Sequence, residues 1–285
     1  MRWQDLGQSG NVNFRSGGGG GGMGPLLAGG GGIGALLIAG VVFLLGGDPS
    51  AVLNQGAQTP GADQPGYSRE SEAGRFTIAI TTSTEEVWTQ IFQESGGTYQ
   101  RPSVEVFRGA TQTACGGGQA AMGPFYCPAD QNVYLDLAFF DELSTKFGAP
   151  GDFAAAYVIA HEVGHHVQNL TGANREANRQ GARGESSGSV RLELQADCYA
   201  GVWAARANAR NQAQNGRPLL ETGDVEEGLR AANAIGDDTL QRQSGGRVAP
   251  DSFTHGSSAQ RVRWFRVGLE SGDPAACDTF NARQL

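Results

Sequence analysis

The sequence predicts an α+β fold in which a small sheet lies on one side of two long helices and the C-terminal half is mainly helical. Three observations predict it. Residues 152–171 and 188–214 are long runs with few helix breakers, SVEVF and NVYLDL are rich in β-branched and aromatic residues, and these strand-like runs precede the helices instead of alternating with them.

Taken in order, residues 1–24 are polar and Gly-rich, with six consecutive glycines at 17–22, and are expected to be a disordered tail. Residues 25–46 carry no charge and contain LLIAGVVFLL, long enough to span a bilayer as a signal anchor. A cleaved signal peptide is the alternative. Arg2 and Arg15 before this run predict a cytoplasmic N-terminus and a cell-membrane protein whose folded domain lies on the extracytoplasmic side, held by one N-terminal helix. Residues 47–73 read as a flexible Pro/Gly/Ser-rich linker, so the folded domain is expected at 74–285. Within it, SVEVF and NVYLDL read as strands, FFDELSTKF as a short helix, and 152–171, 188–214, 222–235 and 257–270 as further helices. NVYLDL is read either as a core strand or as the sheet edge, where an extended peptide could add a strand.

The helix at 152–171, with Asp152 expected to cap its start and Gly172 its end, contains AHEVGHH. At about 100° per residue, His161 and His165 lie about 40° apart and one turn apart, so both can hold one ion. His166 is rotated a further 100° or so and is expected to point elsewhere. Glu162 can hold a carboxylate over an activated water without being a ligand, the mechanical content of H-E-x-x-H. A buried helix with incidental histidines is the competing reading.

Zinc takes a third protein ligand and keeps an open position. The helix at 188–214 carries Glu193 and Asp197 four residues apart on one face. Glu193 ranks first as third ligand, Asp197 second and His255 third; with Glu193 in that role, Asp197 can accept the free ring N–H of a ligand histidine. Cys198 is rotated about 140° from Glu193 and is expected to face away. Alone, the two carboxylates would read as a solvated helix face.

The four cysteines, Cys115, Cys127, Cys198 and Cys277, all follow residue 46, and their even number suggests disulfides in an oxidising compartment, with four buried thiols as the alternative. Of three pairings, Cys115–Cys127 closes a short loop and Cys198–Cys277 ties the C-terminal tail to the glutamate helix, and these are favoured. The formal charge of −8 makes nucleic acid a poor partner. RVRWFRVGL does not change that, because Val262, Phe265 and Leu269 recur at helical spacing and suggest a packed C-terminal helix.

HEVGHH followed by ELQAD resembles the glutamate-ligand zinc metallopeptidases. With ACGGG, GPFYCPADQNVYLDLAFF, ELQADCYAGVWA and FTHGSSAQRVRWF, the chain more closely resembles the bacterial neutral zinc metallopeptidase family of single-pass membrane proteins. That resemblance implies a zinc-binding fold and leaves the substrate undefined; the expectation is a zincin-like domain with one catalytic Zn²⁺ acting on a peptide or protein. The expected mechanism has zinc on His161, His165 and Glu193, with Glu162 as general base and His255 as oxyanion donor, backed by Tyr199. The alternatives are a membrane-tethered zinc scaffold and a zinc hydrolase of a non-peptide amide.

Overall fold

The computed structural model describes residues 1–8, 11–15, 68–107, 110–119 and 123–285. In chain order the elements are β1 (Val12–Phe14), α1 (Glu72–Glu94), β2 (Ser103–Phe107), β3 (Ala110–Thr113), β4 (Gly116–Gln119), β5 (Phe125–Cys127), β6 (Asn132–Asp136), α2 (Ala138–Thr145), α3 (Asp152–Thr171), α4 (Ala173–Arg179), α5 (Gly188–Asn215), α6 (Asp224–Ala234), α7 (Asp237–Gln243) and α8 (Ser258–Ser271). The arrangement is α+β. Four strands form a sheet in the order β1-β2-β6-β5, parallel except for β5, and β3 and β4 form a separate hairpin. β6 is therefore interior. The edge beside the candidate site is β5, which corrects the reading of NVYLDL as an edge.

The helix α3 forms because an apolar run from Phe153 to Ala160 is almost wholly buried and Gly172, at φ 83°, stops it in the left-handed conformation. Its start differs from expectation. Gly151, at φ 126°, precedes the first turn, Asp152 makes no cap, and the free N–H of Phe153 donates to the Glu227 carboxylate at 3.2 Å. A side chain at Gly151 would collide with that carboxylate.

α5 starts at Ser187, whose hydroxyl accepts from Val190 N, and it packs along α3 and α8. Its contact with α8 is unusually close. A Cβ at Gly201 would sit 2.2 Å from the Phe265 carbonyl oxygen, and one at Gly268 1.9 Å from that of Cys198. Two glycines thus let the backbones touch and bring the start of α8 over the Asp197 turn of α5. Phe153, Ile159, Leu194, Trp203 and Phe265 fill the core between these helices, each contributing roughly 1.5–3 kcal/mol by burial.

α1 was not legible in FTIAITTSTEEVWTQIFQE, whose β-branched residues favour strands. Ser71 caps it, accepting from Gly74 N at 3.0 Å, and Thr77 and Thr82 return their hydroxyls to carbonyls four residues back. Burial of Ile78, Ile80, Val87 and Trp88 then outweighs the local propensity. The helix begins at Glu72, so the domain starts before the expected boundary at 74. Most of the expected 47–73 linker lies outside the described residues.

The expected disordered tail is corrected where it is described. Trp3 is 7% exposed and meets Phe76 edge-on at 5.7 Å, Asp5 pairs with Arg217 at 2.9 Å, and Val12 lies opposite Val104 in the sheet. Arg15 donates to Glu105 at 2.8 Å, and the Met1 amine contacts Asp152 and Asp224. The expected anchor at 25–46 lies outside the described residues. Among the described residues, no helix is long and apolar enough to cross a membrane. The segments before and after that run also share one sheet, whereas a single crossing between them would separate β1 from β2. The expected single-pass, cell-membrane arrangement, with a cytoplasmic tail and an extracytoplasmic domain, is therefore corrected.

Both favoured disulfides are present, Cys115 with Cys127 and Cys198 with Cys277. The second fastens the C-terminal tail to α5. Gln195 adds a hydrogen bond to the Cys277 carbonyl at 3.0 Å, and Arg191 donates to the Ala282 carbonyl at 3.1 Å.

Candidate metal centre

His161 and His165 project from one face of α3 across to Glu193 on α5. His161 Nε2 lies 3.1 Å from His165 Nε2 and 3.2 Å from Glu193 Oε2, and His165 Nε2 lies 3.5 Å from Glu193 Oε1. One ligand atom from each residue falls within 4.8 Å of the others. Two imidazole nitrogens and a carboxylate crowded this closely are the donor set that suits a small divalent cation.

The outward ring nitrogens have acceptors. His161 Nδ1 donates to Asp197 Oδ1 at 2.9 Å, because a carboxylate can only accept. His165 Nδ1 faces Gln168 Oε1 at 2.8 Å, and the Gln168 amide is held in turn by the Leu192 carbonyl at 2.6 Å. With Nδ1 protonated, each Nε2 lone pair faces the centre. Asp197 is fully buried and also accepts from Tyr157 and from Arg261, whose Nε and Nη2 approach its two oxygens at 2.8 and 2.9 Å.

The electrostatics follow from burial and neighbours. Burial alone would lower the His161 pKa, but Asp197 and Glu193 push it up to about 10. Burial disfavours the charged form of Glu193, yet His165 and His161 hold its pKa well below the usual carboxylate range. Burial raises the Glu162 pKa, although both histidines oppose that. A histidine takes a metal ion only through an unprotonated ring nitrogen, so binding at this centre is coupled to pH.

His166 turns away, as its helical angle requires. It is fully buried, with Nε2 donating to the Gln100 carbonyl at 2.6 Å and Nδ1 against the Tyr126 hydroxyl at 3.1 Å. Asn169 also donates to that hydroxyl, so His166, next to His165, and Asn169, one turn on, tie β5 to α3. Cys198 is in its disulfide and is unavailable. Tyr199 packs edge-on against Trp88 at 5.2 Å, is 7% exposed and does not line the cleft, which removes it as a reserve donor.

The centre opens onto a cleft of about 820 Å³ lined by His161, Glu162, His165, Glu193, His255 and a wall that includes Phe125 and Phe139. His255 reaches it from the loop before α8. Asp237 Oδ2 accepts from the backbone N–H groups of Thr254, His255 and Gly256, fixing that loop, while Asp237 Oδ1 lies 3.3 Å from His255 Nδ1. His255 Nε2 is the ring nitrogen left for a ligand. Burial lowers the His255 pKa, but Asp237 and Glu193 produce a net rise.

Three participants were not foreseen. Tyr157 stands one turn before His161 and Gln168 three residues after His165, positions that helical spacing alone could have flagged. Arg261 lies 100 residues away in a stretch read as simple packing, and only the Gly201–Gly268 crossing brings it in.

The chain matches the family described as "Putative neutral zinc metallopeptidase" over residues 1–280. It is 49% identical over 290 residues to the protein named "Uncharacterized protein YpfJ" of Escherichia coli strain K12, covering 98% of this chain and 99% of that one. It is 45% identical over 256 residues to "Uncharacterized protein Rv2575" of Mycobacterium tuberculosis strain H37Rv, covering 85% and 86%. No solved structure matches the chain.

Proposed function

Since the chain belongs to the neutral zinc metallopeptidase family, we propose that it hydrolyses peptide bonds with one zinc ion held by His161, His165 and Glu193. The observation that carries this reading is the combination of that convergent donor set with Glu162 beside it in an open cleft. A purely structural site has no need of a neighbouring base and is ordinarily closed by a fourth protein ligand.

When bound, zinc supplies a Lewis acid that polarises the scissile carbonyl and acidifies the attacking water. Glu162 takes the proton of that water and passes it to the leaving amine. Its burial supports the role, since a carboxyl pKa raised toward the working pH makes a better proton shuttle. His255 donates from Nε2 to the developing oxyanion, with Asp237 orienting the ring. A substrate strand lies along the edge strand β5, whose Phe125 and Tyr126 line the cleft and whose position is set by the Tyr126 contacts.

The test is metal analysis of the purified full chain beside digestion of an unbiased peptide mixture. One zinc per chain and discrete cleavage products are expected, with Glu162→Gln keeping the zinc and losing the products. Zinc without cleavage would favour a scaffold, and cleavage only of non-peptide amides would move the substrate class.

A further inference from the structure

Arg261 is the least expected group near the centre. It is 2% exposed, and its guanidinium reaches both oxygens of Asp197, the Tyr157 hydroxyl at 3.3 Å, the Ile235 carbonyl at 3.3 Å and His161 Nδ1 at 3.5 Å. Nothing in the metal chemistry requires a buried cation so close to a ligand histidine. An arginine there adds positive charge beside a site meant for a positive ion, and that repulsion must be offset by something the arginine does.

We propose that Arg261 is a positioning residue of the metal centre: its fork locks the Asp197 carboxylate so that Oδ1 faces His161 Nδ1 and the His161 Nε2 lone pair is aimed at the metal. The inference rests on the zinc reading above. Geometry supports it in two ways. Two parallel N–H bonds to a carboxylate fix its plane as well as its position, which a single donor cannot do. Tyr157 then donates to the same Oδ1 from the adjacent turn of α3, so the carboxylate is held from α3 and from α8 while it belongs to α5. The orientation of one ligand thus depends on the packing of three helices, and the close crossing at Gly201 and Gly268 is what sets the reach of Arg261.

Arg261 also neutralises Asp197 as a fixed charge. The ion pair leaves a net-neutral acceptor of the right shape for the His161 Nδ1–H. A lysine retains the charge but is a point donor without the fork.

The experiment is a zinc-affinity cycle by chelator competition on the full chain, using wild type, R261M, R261K, D197A and D197A/R261M, with circular dichroism of the metal-free proteins as the fold check. R261M is expected to weaken zinc binding about ten- to a hundred-fold. R261K should fall between it and wild type. In the D197A background R261M should change affinity less than about threefold, because the path through Asp197 is already gone. A general packing role would instead give the same loss in both backgrounds, and that result overturns the proposal. Wild-type zinc affinity in folded R261M, or in folded R261K where R261M does not fold, overturns it too. Failure of the wild type to bind zinc is a separate outcome, which removes the metallopeptidase reading beneath it.

Discussion

Trp3→Ala is the sharpest test of the corrected topology, because it asks whether the first residues are part of the domain. Trp3 is 7% exposed, packs edge-on against Phe76 of α1, and sits in the same core as Met1 and Val12. Truncating a buried tryptophan to alanine costs about 3–5 kcal/mol when the surroundings cannot collapse into the space, and that figure includes the ring contact. For a domain of this size each kcal/mol shifts the midpoint by roughly 2–4 °C, so a fall on the order of 10 °C is expected. The assay is thermal and urea unfolding of the full chain in chelator, so that metal binding does not enter the comparison. Gln4→Ala, an exposed neighbour, is the control and should leave the midpoint unchanged. If Trp3→Ala melts within about 1 °C of wild type, the N-terminal segment is not packed on this domain and β1 does not share a sheet with β2.

Four further outcomes are expected. His166→Ala should keep zinc while raising KM more than it lowers kcat, since it releases β5 and not the metal; zinc loss equal to that of His161→Ala, read by metal analysis, would refute its placement. His255→Ala should retain zinc and lower turnover about a hundred- to a thousand-fold with little change in KM, measured on any peptide the wild type cleaves. The Asp237–His255 pair should stabilise the fold within a pH window. Asp237, whose pKa is depressed by its hydrogen bonds against burial, contributes above its ordinary 3.8 and loses this as pH falls through its folded value; His255, whose pKa is raised, contributes fully below its ordinary 6.5 and loses it as pH rises through its folded value. The midpoint difference between wild type and Asp237→Asn should therefore be largest near pH 4–6.5 and shrink on either side, whereas a pH-independent difference would assign the effect to the loop hydrogen bonds alone. Replacing Cys198 and Cys277 by alanine should cost about 4–5 kcal/mol in denaturant unfolding, given a sequence separation of 79 residues between them.

The helices bearing the centre were legible because their signal is local. Three-to-four spacing placed His161 with His165, separated His166 from them, and put Glu193 and Asp197 on one face. The pairing of four cysteines was legible from loop length. What the sequence hid depended on distant partners. α1 is built from threonine and isoleucine that favour strands until burial on several sides decides otherwise, and the start of α3 is served by Glu227 because Gly151 leaves room for it. Arg261 looked like one more arginine on an amphipathic helix. The polar first fifteen residues looked unable to pack because their few apolar side chains, Trp3 and Val12 among them, become buried only once the domain supplies the other surface.

That last arrangement also orders events during folding. Arg2 bonds the carbonyls of the 218–219 turn, Asp5 pairs with Arg217, and β1 pairs with β2 some ninety residues on. The seat of this segment is therefore built from two regions far apart in sequence, α1 with β2 and the stretch at 217–219, and is complete only when both are in place. Contacts of such long sequence separation form late and slowly. A chain lacking residues 217–219 would keep the β1–β2 pairing and the Trp3–Phe76 contact but lose the partners of Arg2 and Asp5, leaving the N-terminal segment fastened on one side only.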